Sequence, residues 1–112
     1  MPRYQMIVLT NAAKGRDDEF NDWYDNRHLA DVLAVPGFVG AQRFRLEPAA
    51  GNTAWSYLAI YDMETDDPAK CMAELQARGG TSEMVMSDAA DLSNATVFYA
   101  SALGPHIAAT KP

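Results

Sequence analysis

Hydrophobic and polar residues change their spacing along this chain at a few Pro, Gly and Asn residues. Arg3–Thr10 is rich in β-forming residues and is bounded by Asn11 and Gly15, which predicts a first strand. Residues 20–35 carry apolar and aromatic residues at helical spacing, and the acidic residues before them suit a helix start. Pro36-Gly37 ends that helix, because proline disfavours helical angles in the residue before it and glycine accepts a tight reversal.

Three further strands are predicted after this reversal, at residues 38–46, 54–61 and 92–103, with a loop at 47–52 between the first two. Thr65 or Asp66 is predicted to cap a second helix, which tolerates Pro68 in its first turn and ends at Gly79-Gly80. The segment 80–91 fits either a short helical turn or an ordered flap. We expect one domain over residues 1–104 and a short C-terminal tail over 105–112.

The element order βαββαβ is that of an α+β, ferredoxin-like fold, in which a four-stranded antiparallel sheet has two helices on one face. Residues 54–61 place Trp55, Tyr57 and Tyr61 on one side of the third strand, and Leu58 and Ile60 on the other. Neither side is plainly polar, so both faces of the sheet need cover. Two helices cover one face, and a second copy of the chain, packed sheet against sheet, is predicted to cover the other.

The first predicted helix mixes aromatic and charged side chains on one side. A projection at about 100° per residue puts the following residues on that side, with His28 at its edge: Phe20, Trp23, Tyr24, Arg27, Asp31 and Ala34. Burying an unpaired charge is costly. The face therefore borders a pocket, or Arg27 and Asp31, four residues apart, pair across one turn.

Composition limits the partners of this protein. The chain has 112 residues, of which 48% are hydrophobic and 21% charged, as expected of a folded domain. Its net charge is −6 and it has no run of Lys or Arg, which argues against nucleic acid and anionic membranes as partners. It shows no secretory signal and no stretch of about twenty apolar residues. Its single cysteine, Cys71, is expected to fill the core, and we expect a cytoplasmic location.

One quarter of the chain carries a pattern that resembles a known family. The pattern comprises Trp23-Tyr24-Asp25, His28-Leu29, Asp31, Leu33 and Val35-Pro36-Gly37-Phe38, followed by Ala41, Arg43 and Phe44. It looks like the dimeric α/β barrel superfamily, particularly its EthD-like and related small uncharacterised members. That superfamily includes isomerases, polyketide cyclases, cofactor-free monooxygenases, haem-degrading enzymes and proteins without an assigned reaction. The resemblance implies a homodimer, with a pocket inside each subunit lined by the aromatic face of the first helix.

Three residues along that helix form the candidate catalytic set. His28 can take and return a proton near neutral pH, Asp31 can orient the imidazole, and Tyr24 can donate a hydrogen bond to a developing oxyanion. The candidate substrate-binding residues share the same helix face or, for Arg43, could clamp an anion: Phe20, Trp23, Arg27 and Arg43. The alternative is structural: His28 fixes the helix end in a dimer, the aromatic residues pack the core, and the charged residues pair.

Two classes of function follow from these residues. The first is a cofactor-independent enzyme, of isomerase, cyclase or dehydratase type, that moves a proton on an apolar or aromatic carbonyl substrate. The second is a dimer that binds a small ligand, or none, without turnover; a cofactor-free monooxygenase or haem-binding member is a further alternative. No metal site is expected, because two histidines and one cysteine show no ligand spacing, and no phosphate-binding glycine loop precedes a helix.

Overall fold

A four-stranded antiparallel sheet forms one layer of the computed structural model, which describes residues 1–47 and 54–110. Its strands are β1 (Arg3–Thr10), β2 (Phe38–Arg45), β3 (Tyr57–Glu64) and β4 (Thr96–Ser101), in the spatial order β2-β3-β1-β4. The helices α1 (Asp17–Trp23), α2 (Leu29–Leu33) and α3 (Pro68–Arg78) form the second layer. This is the predicted ferredoxin-like α+β fold. None of these helices is long and apolar enough to cross a membrane.

The strand register separates a buried sheet face from an open one. Met6 lies opposite Tyr61 and Val8 opposite Ala59, and all four side chains are buried beneath the helices. The alternate residues point the other way, where no element of the described chain packs on them. That face carries the following apolar residues: Ile7, Leu9, Phe44, Leu58, Ile60 and Phe98. The prediction that neither face is polar therefore holds in the register of the sheet.

Two strands begin and end at other residues than the sequence predicts. The third strand is expected at 54–61, whereas β3 runs from Tyr57 to Glu64 because its last residues pair with the start of β1. The last strand is expected at 92–103, whereas β4 covers only Thr96–Ser101. A 3₁₀ turn, Leu92–Asn94, takes up the first part, and Asp91 accepts hydrogen bonds from the side chains that follow it. The predicted loop at 47–52 falls, apart from Glu47, outside the described residues.

The segment 80–91 is an ordered flap and not a helix. Single β-bridges tie its start and end to the body, between Gly79 and Met84 and between Ala12 and Ala90. Met84 and Ala89 are buried, so the flap contributes to the core. Further on, residues 102–110 follow β4 as an exposed stretch without helix or strand.

A π-helical turn, Tyr24–His28, joins α1 to α2 and alters which side chains face the sheet. Its hydrogen bonds span five residues and not four, so each residue advances around the axis by less than in an α-helix. The straight-helix projection places Arg27 and Ala34 on the aromatic side, but both are exposed. The buried residues of this segment are instead Phe20, Tyr24, Val32 and Val35.

The reversal after this segment depends on Gly37. Its φ of +102° is one that residues with a side chain rarely adopt, and a Cβ atom at this position would collide with the Cys71 sulfur. Cys71 is buried in α3, as predicted. The start of α3 differs slightly from the prediction: Asp67 is the cap and accepts from the Lys70 backbone N–H at 3.1 Å, while Thr65 accepts from the N–H of Asp67.

Candidate active site

A cavity of about 200 Å³ lies between the buried sheet face and the helical layer. Its walls come from three of the strands, from the first helical segment, from the end of α3, from the flap and from the 3₁₀ turn. Within the described part of the chain, no charged residue lines it. The lining residues are Met6, Val8, Thr10, Phe20, Trp23, Tyr24, His28, Val32, Tyr61, Leu75, Gly79, Met84, Met86, Ala90, Leu92, Ala95 and Val97. The cavity is smaller than the 300 Å³ or so at which small-molecule pockets usually begin.

His28 is the one described residue in this wall whose side chain ordinarily titrates near neutral pH. The π turn carries it onto the inner side, where its ring stacks on Trp23 at 4.5 Å between centroids and meets the edge of Tyr24 at 4.9 Å. Its Nδ1 atom is buried and has no hydrogen-bond partner within residues 1–47 and 54–110. A molecule the size of water does not reach this atom, so a ligand in the cavity would satisfy it only after the imidazole ring turns.

Burial dominates the acid–base behaviour of His28. It lowers the pKa of the imidazole from 6.5 to about 4, because the charged form loses its hydration. The negative charge of Asp31 opposes this shift, and the positive charge of Arg43 adds to it. His28 is therefore neutral at pH 7, with one ring nitrogen able to accept a proton.

Two buried tyrosines place hydroxyl groups beside His28. Tyr61 donates to the hydroxyl oxygen of Tyr24 at 2.9 Å, and both rings line the cavity. Burial raises the pKa of Tyr24 and also that of Tyr61, so both hydroxyls are neutral and can donate. The donation from Tyr61 polarises the Tyr24 hydroxyl toward a further acceptor. Tyr61 is not among the sequence candidates; the alternation of the third strand is the signal that places it on the same face as Tyr57.

Asp31 and Arg27 lie outside the cavity and pair with each other. The Arg27 Nε atom donates to the Asp31 carboxylate at 2.8 Å, as the four-residue spacing predicts. Arg27 also reaches the carbonyl of Ser82 on the flap at 3.4 Å. Because the Asp31 carboxylate accepts its hydrogen bond from Arg27, it affects His28 through its negative charge. The predicted roles of Asp31 as orienting group and of Arg27 in substrate binding stay predictions.

Arg43 packs against the outer side of the Tyr24 ring and away from the cavity. Its guanidinium carbon lies 4.3 Å from the ring centroid. One guanidinium nitrogen pairs with Asp25 at 2.8 Å and the other donates to the side-chain oxygen of Asn21 at 2.7 Å. With these donors engaged, Arg43 supports the helix from behind, and its predicted role in clamping a substrate anion stays a prediction.

The aromatic candidates Phe20 and Trp23 both reach the cavity wall. Trp23 has a second contact, because its indole N–H donates to the carbonyl of Val85 on the flap at 3.0 Å. The flap residues Met84 and Met86 complete the wall, although the sequence assigns them no role. Their apolar spacing around Val85 is the available signal, but an isolated Met-Val-Met run does not reveal which surface it covers.

Solved structures of several proteins have this fold. An EthD family protein from Bacillus halodurans aligns with a TM-score of 0.55 and 12% identity over 90% of this chain and 99% of that one. The haem degrader MhuD from Mycobacterium tuberculosis aligns with 0.60 and 21%, over 92% and 98%. A dimeric ferredoxin-like protein of unknown function from Thermobifida fusca aligns with 0.51 and 12%, over 90% and 92%. No protein-family model and no curated protein sequence matches the chain.

These alignments establish the fold. They confirm the predicted ferredoxin-like fold, which the aligned proteins, an EthD family protein among them, share over nearly the whole chain. Identities of 12% to 21% do not transfer an activity from any of them.

Proposed function

We propose that this protein is a cofactor-independent enzyme that moves a proton on a small, mostly apolar carbonyl substrate, with His28 as the proton carrier. The observation that carries this proposal is the position of His28 in the wall of an uncharged cavity, together with its shielded Nδ1 atom, which has no partner among the described residues. A buried polar atom without a partner is rare in native proteins and costs free energy. A ligand that reaches this atom after the imidazole ring turns toward the cavity offsets that cost.

The chemistry follows from the neutral state of the imidazole. His28 accepts a proton from the carbon beside the carbonyl, the electron pair moves to the carbonyl oxygen, and Tyr24 stabilises that oxygen by donating its hydroxyl hydrogen. Return of the proton to a different atom gives an isomer. In a substrate with a hydroxyl group on the next carbon, the enolate electron pair instead forms a C=C bond as the C–O bond breaks, and the imidazolium proton leaves with the hydroxyl group as water, which is a dehydration. Because a pKa of about 4 makes His28 a weak base, the substrate proton must already be acidified by the adjacent carbonyl.

Replacing His28 tests this mechanism. We expect His28→Gln, which keeps a polar side chain but cannot carry a proton, to lower kcat by about 10²-fold to 10⁴-fold on a carbonyl substrate found by screening. His106→Gln is the matched control, because His106 is the other histidine of the chain and lies in the exposed C-terminal stretch. Full activity of a folded His28→Gln protein would contradict the proposal.

Ligand binding without turnover is the competing function. The cavity volume of about 200 Å³ is below the roughly 300 Å³ at which small-molecule pockets usually begin, and this favours the competing function. The two functions separate in one experiment: a binder shows saturable ligand binding in both the native chain and His28→Gln, with no product in either. We prefer the enzyme because a purely apolar binding site has no need of an imidazole.

Haem is the further alternative, together with a cofactor-free monooxygenase. A free imidazole nitrogen suits an axial haem ligand. The porphyrin ring, however, is larger than a cavity of about 200 Å³, and the His28 ring is stacked against Trp23, which fills one side of it. The stacking of Trp23 on the imidazole argues against a haem in this arrangement, and the proposed chemistry uses none.

We also propose that the chain forms a homodimer through the open face of its sheet. Support comes from the apolar residues gathered there, with Ile7 opposite both Ile60 and Phe98, and from the Thermobifida fusca protein of the same fold, which is dimeric. Phe98 is 46% exposed in the single chain. A cytoplasmic location and the boundary of the domain at residue 104 stay predictions.

A further inference from the structure

We propose that Trp23 is the positioning residue of His28 and that the flap holds Trp23 in turn, so that the position of the flap sets the orientation of the imidazole. This inference rests on the proposed function of the same site and adds the residue that holds its proton carrier in place. Three observations carry it: the way the imidazole is held, the contacts of Trp23, and the attachment of the flap.

The imidazole of His28 is held by ring contacts alone. No hydrogen bond joins it to any residue of 1–47 and 54–110, although a histidine ring is usually oriented by such a bond. Trp23 stacks on one face of the ring, at 4.5 Å between centroids and 24° between the ring planes, and Tyr24 meets it edge-on at 4.9 Å. The orientation of the imidazole therefore depends on these two neighbours.

Of the two neighbours, Trp23 is the one that another mobile element holds. Tyr24 is 3% exposed and is fixed from two sides, because Tyr61 donates to its hydroxyl at 2.9 Å and the Arg43 guanidinium carbon lies 4.3 Å from its ring centroid. Trp23 is only partly buried, and its ring otherwise contacts rings of its own helical segment. Its one polar group, the indole N–H, donates to the carbonyl oxygen of Val85 on the flap at 3.0 Å.

The flap is attached to the rest of the chain at a few points. Single β-bridges tie its start and its end, and no longer ladder runs along it within the described residues. Two arginines also reach it, Arg16 at the Asp88 carboxylate at 2.8 Å and Arg27 at the Ser82 carbonyl at 3.4 Å. Exposed ion pairs contribute little, and segments with few hydrogen bonds open at low free energy. The flap can therefore shift while the sheet stays folded, and Trp23 transmits that shift to the imidazole.

The sign of a pKa change separates this positioning role from simple stacking. Burial is the largest cause of the low pKa of His28, so water admitted beside the ring raises that pKa toward 6.5. Loss of the indole face acts the other way, since an indole stabilises a cation on its face better than a phenyl ring does. The charged groups that act on His28 are Asp31 and Arg43, and each keeps its own ion-pair partner outside the cavity.

Replacing Trp23 tests the inference. Trp23→Phe keeps a ring beside the imidazole and removes the indole N–H, so we expect it to raise the pKa of His28 by about 1 or more. NMR titration of the imidazole C–H signal measures this pKa, and the loss of that signal in His28→Gln assigns it. Trp55→Phe is the matched control, because the Trp55 indole N–H likewise donates to a backbone carbonyl, that of Asn94 at 2.6 Å, and it should leave the pKa of His28 unchanged. An unchanged or lowered pKa in folded Trp23→Phe overturns the inference.

The flap is tested from its own side, which also covers the case that Trp23→Phe does not fold. Gly80 lies at the start of the flap with a φ of +82°, and no described atom lies within 4 Å of where its Cβ would be, so Gly80→Ala strains the flap without a collision. Gly15→Ala imposes the same kind of strain outside the flap, at a φ of +77°. We expect only Gly80→Ala to raise the pKa of His28. Equal pKa values of His28 in the two glycine variants overturn the inference.

A double variant tests whether Trp23 transmits the effect. Gly80→Ala combined with Trp23→Phe should raise the pKa of His28 no further than Trp23→Phe alone, since the contact between flap and indole is already lost. Full additivity would show that the flap reaches the imidazole by another route, which overturns the role of Trp23.

The outcome for positioning is separable from the outcome for catalysis, because these titrations need no substrate. A raised pKa in Trp23→Phe, together with full turnover in His28→Gln, supports the positioning role and contradicts the proposed function. An unchanged pKa in Trp23→Phe, together with lost turnover in His28→Gln, contradicts the positioning role alone.

Discussion

The environment of His28 is built by its immediate neighbours along one helix. Trp23 covers one face of the imidazole and Tyr24 meets it edge-on, while Asp31, which could have paired with it, is held by Arg27. Each of these contacts comes from a residue within five positions in the sequence. A neutral, weakly basic imidazole with a free nitrogen is the local result.

The depressed pKa of His28 predicts acid sensitivity. The unfolded chain binds a proton near pH 6.5 and the folded chain only near pH 4, so stability is fully present above pH 6.5 and is lost as the pH falls toward 4. The loss amounts to about 2.5 kcal/mol at pH 4.5, from roughly 1.4 kcal/mol per pKa unit over the two units between 6.5 and 4.5. Urea unfolding at pH 7.5 and 4.5 measures it.

His28→Phe should abolish this part of the pH dependence, because a phenyl ring has no proton to bind. His106→Gln, in the exposed C-terminal stretch, should leave the difference between the two pH values unchanged. If His28→Phe and the native chain lose equal stability on acidification, His28 does not have the depressed pKa.

Gly37 offers a second prediction for a single residue. Gly37→Ala combines an unfavourable φ with a collision against the Cys71 sulfur, and should cost about 3 kcal/mol. Gly15 also has positive φ, at +77°, but no described atom lies within 4 Å of where its Cβ would be, so Gly15→Ala should cost only about 1 kcal/mol. The two variants are compared by chemical denaturation. Equal losses would show that the collision contributes nothing.

At the level of elements, the π turn decides which side chains the first helical segment turns inward. Four residues of this segment follow one another at intervals of four: Phe20, Tyr24, His28 and Val32. In a regular α-helix this interval moves each successive side chain further around the axis, whereas a wider π turn keeps the side chains on one face. The turn therefore brings His28 into the wall that Phe20 and Tyr24 already form. Without it, the charged pair of Arg27 and Asp31 would rotate toward the sheet.

Deleting one residue of that turn tests its role. Removal of Asn26, which is exposed, should restore a regular helix in which Val32 and Val35 still face the core, so the loss of stability should be less than about 1 kcal/mol. Asn26→Ala keeps the residue count and loses only the hydrogen bond to Asp22, so it should fold normally. Thermal unfolding followed by circular dichroism compares the two variants; a loss of about 3 kcal/mol or more on deletion alone would show that the turn does more than absorb one residue.

Some of these elements could be predicted from the sequence because their signals are local, and others could not because they depend on contacts between distant residues. The β-forming residues of β1 and the Pro36-Gly37 stop are local signals, and both elements appear where they are predicted. The π turn has no local signal, because its stability comes from burial of Val32 and Val35 against a sheet formed by distant residues. The flap likewise depends on contacts with Trp23 and Ala12, far away in sequence, so its two methionines could not be assigned to the cavity.

At the level of the whole molecule, one apolar face of the sheet is not covered by any helix of the described chain. Leu9 pairs with Leu58 and Ile7 with Ile60 at its centre, while Gln5 and Asp62 pair at one end. An apolar centre with a polar border is typical of a protein interface. Two such faces can pack as stacked sheets, which explains why only one face of each sheet has helices.

A charge at the centre of this face should prevent association. The native chain is expected to sediment at about twice its 12.2 kDa mass at micromolar concentration, and Ile60→Lys as a monomer. Gln76→Lys adds the same charge to an exposed position of α3 and should remain a dimer. A native chain that sediments as a monomer would contradict the proposed association.

The π turn also bears on how this helix can change its length. Because the turn absorbs one residue more than a regular helix would, the segments before and after it both keep their inward faces. A gain or loss of one residue at this place can therefore be accommodated while the strands stay in register.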